Sequence, residues 1–433
     1  MKKLCCVVIS MVMIAFYNDT SAQILDKIKN KAKQRADQKV DQSIDKGLDE
    51  AEGKNKKDKD KTDENADADV KNKNVEGSKS NPQGLKAYSK YDFVPGEKIV
   101  YAEDFAQDVI GEFPLKWNTN GTGEVVTIEG LQGKWLQITA GTKYESPYSN
   151  NLPDNYTVEF DLVLDFKASM HVPNIEFLII NNKVKTTYQP GMRLMLAPQA
   201  GTYGSGEEQA SIDRIRLVSY NEKGERHLEG KDQLIGEFYK YNHRSIPVHV
   251  AIWVQKERAR VWINQTKVYD LPKALPAGLV LTNIALETEH YGSAAENYKY
   301  FISNLKIAVA APDTRSKLIT EGKWSTTGIL FDVNSDKIKP TSYGTLKEIA
   351  TILTENADVK VKIIGHTDTD GDDAKNLDLS KRRAAAVKTA LSKEFNIDES
   401  RLDTDGMGET KPVADNNSSE GKAQNRRVEF IKL

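Results

Sequence analysis

Gly365-His366-Thr367-Asp368-Thr369-Asp370-Gly371 and, a few residues on, Asn376-Leu377-Asp378-Leu379-Ser380-Lys381-Arg382-Arg383-Ala384-Ala385-Ala386-Val387 are the stretch on which the reading of the C-terminal fold turns. Ahead of it the alternation Val359, Val361, Ile363 predicts a strand. A polar, Gly-containing loop ends that strand, and a helix is expected over about 379–395, with Ser380 as a good N-cap residue and Arg383 in the first turn. A helix N-terminus with an Arg beside it suits a carboxylate, and an Asp on the preceding loop suits an ammonium group. Asp368 and Arg383 together fit a ligand that carries both charges. The bland reading makes them a structural ion pair, leaves Asn376 to shape the loop, and leaves Arg426 or Arg427 solvated. His366 reads as a structural loop residue.

Outward from this stretch the period of the pattern alternates. A strand-like 328–331 leads to a helical 341–354, and a last strand pair is expected over 402–405 and 427–431. Strand and helix in turn predict a small α/β sandwich with its helices on one face of the sheet. The spaced motifs Gly-His-Thr-Asp and Asn-x-x-Leu-Ser-x-x-Arg-Ala-x-x-Val resemble the OmpA-like C-terminal domain, also found in Pal and MotB. The resemblance runs back to Phe331-Asp332-Val333-Asn334-Ser335-Asp336-Lys337-Ile338-Lys339-Pro340. It runs forward to Gly406-Met407-Gly408-Glu409 and Asn425-Arg426-Arg427-Val428-Glu429-Phe430.

It implies non-covalent binding of the peptidoglycan stem peptide through its diaminopimelate residue. Asp368 would meet the amino group and Arg383 the carboxylate, with Asn334, Asn376 and Arg426 lining the same pocket. Thr369-Asp370 departs from the Asn-Thr that many members carry before the Gly, and the extra carboxylate either strengthens ammonium binding or repels the ligand's carboxylate.

Upstream, strands are expected over 136–139, 157–166, 175–180, 192–196 and 215–219, then 249–255, 259–264, 284–288 and 300–309. Asn, Gly and Pro turns separate them with no convincing helix, which predicts an all-β jelly-roll sandwich over 87–311. Trp262-Ile263-Asn264-Gln265-Thr266-Lys267-Val268 resembles a hairpin of concanavalin-A-like and laminin-G-like sandwiches, with Gln265 where a Gly is usual. Such sandwiches include glycoside hydrolases, which need two carboxylates close together on one strand face. Glu159 and Asp161 share a face but lack the further Glu of that pattern, so they read as solvent-facing strand residues and the chain as non-enzymatic. A lectin or protein-docking role would need exposed rings among Trp117, Trp135, Trp253, Trp262, Tyr291, Tyr298 and Tyr300, for which burial is the default.

The chain as a whole has 433 residues, too many for one ordinary core, and a formal charge of -2 that gives no basic field for nucleic acid. Residues 1–22 have the layout of a secretory signal: Lys2 and Lys3, an apolar run over 4–16 and a small-residue end at Ala22. That run is shorter than the roughly 20 residues a bilayer requires. Cys5 and Cys6 fall inside it, so the mature chain is expected to be cysteine-free, without thiol catalysis or Cys-based zinc. A charged helix is expected over 23–52 and a disordered tether over 53–86, where between Gly53 and Gly84 only Val70 and Val75 are branched apolar residues. The six His show no metal-binding spacing, and no cofactor is expected. A multidomain, exported protein of the periplasm and outer membrane follows, with peptidoglycan as one partner and a glycan or envelope protein as another.

Overall fold

The computed structural model describes residues 91–166, 173–197, 202–203, 210–211, 213–242, 245–289, 298–309 and 317–433. The expected signal, charged helix and tether lie outside the described residues, as do His171, His243, His290, Tyr291 and the chain around 311–312.

Two antiparallel sheets form a β-sandwich. The first runs in the order Thr266–Leu271, Arg258–Ile263, Val248–Gln255, Asn155–Phe166, Tyr298–Val309, Trp135–Ile138, Gly123–Val126, and Lys98–Glu103 also pairs with Tyr298–Val309. The second is built around Asp213–Tyr220, Gly191–Ala197, Ile175–Ile180 and Asn283–Thr288. A period of two decides what faces what. Along Asn155–Phe166, Tyr156, Val158, Phe160, Leu162, Leu164 and Phe166 enter the common core, while Thr157, Glu159 and Asp161 take the other face. Phe160 stacks on Phe177 of the opposite sheet with centroids 4.2 Å apart, joining the two layers. Among the described residues of the sandwich, one short helix, Glu237–Tyr241, interrupts the strands. At the hairpin turn Asn264 takes a positive φ of 51° and pins the turn with its side chain, accepting from His249 N at 2.9 Å and donating to Glu237 Oε2 at 2.7 Å. Asn tolerates this conformation, so the turn forms without the usual Gly at 265.

The C-terminal domain is a four-stranded sheet in the order Lys323–Thr326, Val428–Lys432, Val361–His366, Leu402–Gly408. Its last two strands are parallel, which requires a crossover, and the helix Asp373–Phe395 supplies it. That helix and Tyr343–Glu355 share one apolar cluster with Trp324, Val361, Ile363, Val428 and Phe430, so both pack on one face. Three expectations change. The expected strand over 328–331 reduces to a bridge between Phe331 and Ile338, and the edge strand lies earlier, at Lys323–Thr326. The final two strands do not pair with each other, because Val361–His366 lies between them. A seven-residue helix, Ser419–Asn425, precedes the last strand.

The two domains share an interface. Residues 91–97 run into it: Gly344 lies so close to Phe93 O that a Cβ there would stand 2.1 Å from it, and Trp324 Nε1 donates to Glu97 Oε1 at 3.3 Å while Lys317 pairs with the same carboxylate. Tyr91, Phe93 and Trp262 form an aromatic cluster beside it, with Trp262 Nε1 donating to Asp92 Oδ1.

Candidate ligand-binding site

The long helix begins at Asp373, not near Ser380. Asp372 is extended and its side chain accepts from Lys375 N at 3.0 Å, a better-placed cap than Ser380 seven residues past the first residue of the helix. Ser380 is buried: its hydroxyl donates to Leu377 O and accepts from Gly408 N at 2.9 Å. Arg383 therefore stands in the third turn, where the helix dipole no longer favours an anion, and any carboxylate there would depend on the guanidinium itself. The helix backbone lies directly on the strand ends, since a Cβ on Gly365 would approach Ser380 O to 2.2 Å and one on Gly406 would approach Lys381 N to 2.4 Å. Glycine is needed at both positions for that close approach.

Between strand and helix, the loop over 367–372 is shaped from within. Asp370 N donates to Asp368 Oδ1 at 3.2 Å, an Asx-type turn, and Gly371 has a φ of 110°. Asn376 is buried on the first turns of the helix, and its Nδ2 reaches the carbonyls of Asp368 and Asp370 at 3.3 and 3.2 Å and Glu409 Oε2 at 2.7 Å. It orders the loop that presents Asp368.

Asp368 pairs with Arg426, whose Nη1 lies 2.5 Å from Oδ2, and not with Arg383. Arg426 caps the Ser419–Asn425 helix and its side chain is 42% exposed, whereas that of Asp368 is 10% exposed. Arg383 is half-buried. Its Nε donates to Ser335 O at 3.0 Å and its Cζ lies 4.9 Å from the centroid of the Phe331 ring, a cation–π seat. Its Nη1 and Nη2 have no acceptor among the described residues. Burial pulls the Arg383 pKa down, Asp368 pulls it up, and Arg426 and Arg382 pull it down again, so all these charges sense one another. Asp370 carries the extra loop charge out to Lys422 Nζ at 2.6 Å. Asn334 is exposed at a φ of 52° in the turn between Phe331 and Ile338, next to the Ser335 carbonyl that holds Arg383. Asp368, Asn376, Arg383 and Arg426 thus fall in one region. Asn334 borders it through the backbone.

Three contributors were not foreseen from sequence: Phe331 as the seat of Arg383, Ser335 through its carbonyl, and Glu409 as the anchor of Asn376. Phe331 and Glu409 lie within the motifs, but nothing in the linear pattern says what they touch. Arg427 is not solvated: it is buried, with Nε and Nη2 on Glu429 Oε1 at 3.0 and 2.7 Å. His366 is buried with Nε2 3.6 Å from the same carboxylate. Burial pushes the Glu429 carboxyl up, but His366, Lys323 and Arg427 outweigh it and hold the group well below the usual carboxylate range.

In the sandwich, Glu159 and Asp161 do share a face, but they are not solvent-facing. Glu159 is 3% exposed, with Lys306 Nζ at 2.8 Å from Oε1 and His249 Nε2 at 3.4 Å from Oε2. Asp161 accepts at Oδ2 from Asn304 and lies 2.7 Å from His249 Nδ1 at Oδ1. The sheet face expected to be open is covered there, because residues 91–97 and the C-terminal domain lie near it; Tyr91 and Lys339 both sense these carboxylates. Trp117, Trp135 and Trp262 are buried, as are Tyr298 and Tyr300, and Trp253 is half-buried under Arg260 at 4.8 Å. Among the described residues no group of three or more His, Cys, Asp or Glu could hold a metal ion.

The OmpA family profile matches residues 330–426. Over 101 residues the chain is 42% identical to "Outer membrane porin F" of Pseudomonas aeruginosa, covering 23% of this chain and 29% of that protein. It is 43% identical over 102 residues to "Probable lipoprotein YiaD" of Escherichia coli, covering 24% of this chain and 46% of that protein. With "Putative lipoprotein YfiB" of Escherichia coli it shares 34% identity over 126 residues, 28% of this chain and 79% of that protein. Among solved structures, the peptidoglycan-associated lipoprotein from Burkholderia pseudomallei is 29% identical, covers 25% of this chain and 89% of that one, and has a TM-score of 0.23. Through this C-terminal region the chain belongs to the OmpA family. It spans less than half the length of porin F and YiaD.

Proposed function

We propose that the chain is a non-catalytic protein on the periplasmic side of the outer membrane. Its C-terminal domain holds peptidoglycan non-covalently through the diaminopimelate of the stem peptide, with the sandwich serving a further glycan or protein partner. The names of its relatives support the location: they are outer-membrane proteins and lipoproteins. The observation that carries the reading is the Arg383 fork, seated on Phe331 and the Ser335 carbonyl with both terminal nitrogens open beside the Asp368–Arg426 pair. Two guanidinium groups and one carboxylate leave one positive charge uncompensated. A planar fork takes a carboxylate in two parallel hydrogen bonds, which matches the ligand's acid group. Asp368 has acceptor capacity beyond its present two bonds, so it meets the ligand's ammonium while Arg426 stays paired to it.

A glycan-cleaving sandwich finds no support at Glu159 and Asp161. A glycosidase needs one carboxylic acid with a raised pKa. Here burial pushes both groups up, but Lys306 and His249 outweigh it at Glu159 and His249 leads the groups that outweigh it at Asp161, so both stay ionised.

Co-sedimentation of the full chain with purified sacculi tests the binding reading. Sacculi with diaminopimelate in the stem peptide should retain the protein. Sacculi with lysine at that position, which lack the carboxylate for Arg383, should retain far less. Equal retention by both would sink the assignment of the ligand.

A further inference from the structure

The short helix Ser419–Asn425 has two faces. On one, Gln424 meets the open edge of the sandwich strand Lys98–Glu103: its Oε1 accepts from Ile99 N at 3.0 Å and its Nε2 donates to Glu97 O at 3.3 Å. A primary amide that accepts from one residue and donates to the carbonyl two before it imitates a rung of a neighbouring strand, which covers an edge that would otherwise be free to pair. Ala423 packs with Ile99, Ala102 and Ala308, and Ser419 Oγ reaches Asp104 Oδ1 at 3.2 Å. From the helix and its C-cap, Lys422 and Arg426 reach the two carboxylates of the ligand loop, Asp370 at 2.6 Å and Asp368 at 2.5 Å. The same seven-residue element thus touches the sandwich and holds the loop that carries the binding carboxylate.

We propose that Gln424 is a positioning residue for the peptidoglycan site: by keying the Ser419–Asn425 helix to the edge of the sandwich, it sets Arg426, and through it the loop that presents Asp368. The sandwich is then part of the binding unit, although it touches no ligand. The inference rests on the proposed role of Asp368. It follows that anything which loosens the sandwich from this helix weakens retention on the cell wall.

The test uses the full chain, diaminopimelate-containing sacculi and five variants: Gln424→Ala, Arg426→Ala, their double variant, Ser419→Ala and Asp368→Ala. Loss of the two Gln424 hydrogen bonds, each of modest net worth, should weaken retention by about three- to tenfold. Amide exchange over 367–372 should speed up in the same variant. In the Arg426→Ala background the further change to Gln424→Ala should add little, because the connection to Asp368 is already cut. Ser419→Ala, at the other interface contact, should act in the same direction and less strongly. A Gln424→Ala effect of equal size in both backgrounds, or unaltered exchange over 367–372, overturns the inference. So does full retention of Gln424→Ala while Asp368→Ala is lost from the sacculi. Full retention of Asp368→Ala would overturn the site reading itself and this inference with it.

Discussion

Two charged clusters in this molecule look alike in composition and differ in what they leave open. In the sandwich, Glu159 and Asp161 face His249, Lys306 and Asn304, and each of the four carboxylate oxygens has a cationic or hydrogen-bonding group within 3.4 Å. In the C-terminal domain, Asp368 faces Arg426 near Arg383, and the two terminal nitrogens of Arg383 point to no acceptor among the described residues. The first cluster is closed and holds a fold together. The second keeps donors in reserve, and a charged ligand has something to complete. Paired carboxylates on a strand are thus poor guides to chemistry until their partners are counted.

The largest effect that would break this contrast lies in the sandwich. His249→Ala should remove one member of a buried network and leave two carboxylates facing each other, at a cost of about 3–5 kcal/mol in thermal or denaturant unfolding. Retention on sacculi per folded molecule should stay at the wild-type level. A variant that keeps its stability and loses retention would reverse the roles assigned to the two clusters.

The same cluster sets a pH window. Burial pushes His249 down, but its bonds to Asp161 and Glu159 raise it from 6.5 to about 9; its contribution is therefore complete below pH 6.5 and lost as pH rises through 9. Burial pushes Glu159 up, but Lys306 and His249 lower it from 4.5 to about 2; its contribution is complete above pH 4.5 and lost as pH falls through 2. This cluster should therefore stabilise most between pH 4.5 and 6.5. Melting temperatures across pH 3 to 10 for the wild type and His249→Phe measure it, and parallel profiles for the two proteins would remove the cluster from the account.

Next in size is the open cluster. Asp368→Ala and Arg383→Ala should each weaken sacculus binding by about one to two orders of magnitude, as expected for a charged hydrogen bond worth roughly 1.5 to 3 kcal/mol. Arg383→Lys should restore little of it, since a point charge cannot form the two parallel bonds. Lower melting temperature with unchanged binding per folded molecule would instead make these residues structural. The smallest effect is expected from Asp370→Ala, which loses a surface ion pair worth about 0–1 kcal/mol. Little change in either assay would sharpen the view that Lys422 absorbs the extra loop charge; a large gain in binding would mean that Asp370 repels the ligand.

Much of the fold was legible because local periodicity carries it. The 157–166 alternation places five side chains in the core without reference to any partner strand, and Ile175–Ile180 runs as its sequence pattern predicts. The proposed site residues lie in spaced motifs that keep their order, and Asp368, Asn376, Arg383 and Arg426 fall in one region of the fold. The start of the long helix was not legible: Asp372 and Ser380 both look like caps, and the choice falls to Asp372 because Ser380 is needed against Gly408. Nor did the sequence reveal that Asp368 takes Arg426, 58 residues away, as its partner in place of Arg383. Period and propensity are properties of neighbours along the chain and determine strands, helices and their inward faces. Which charge meets which, and whether Glu159 sees water or a second domain, depends on surfaces that meet only after folding, and only the tertiary structure decides it.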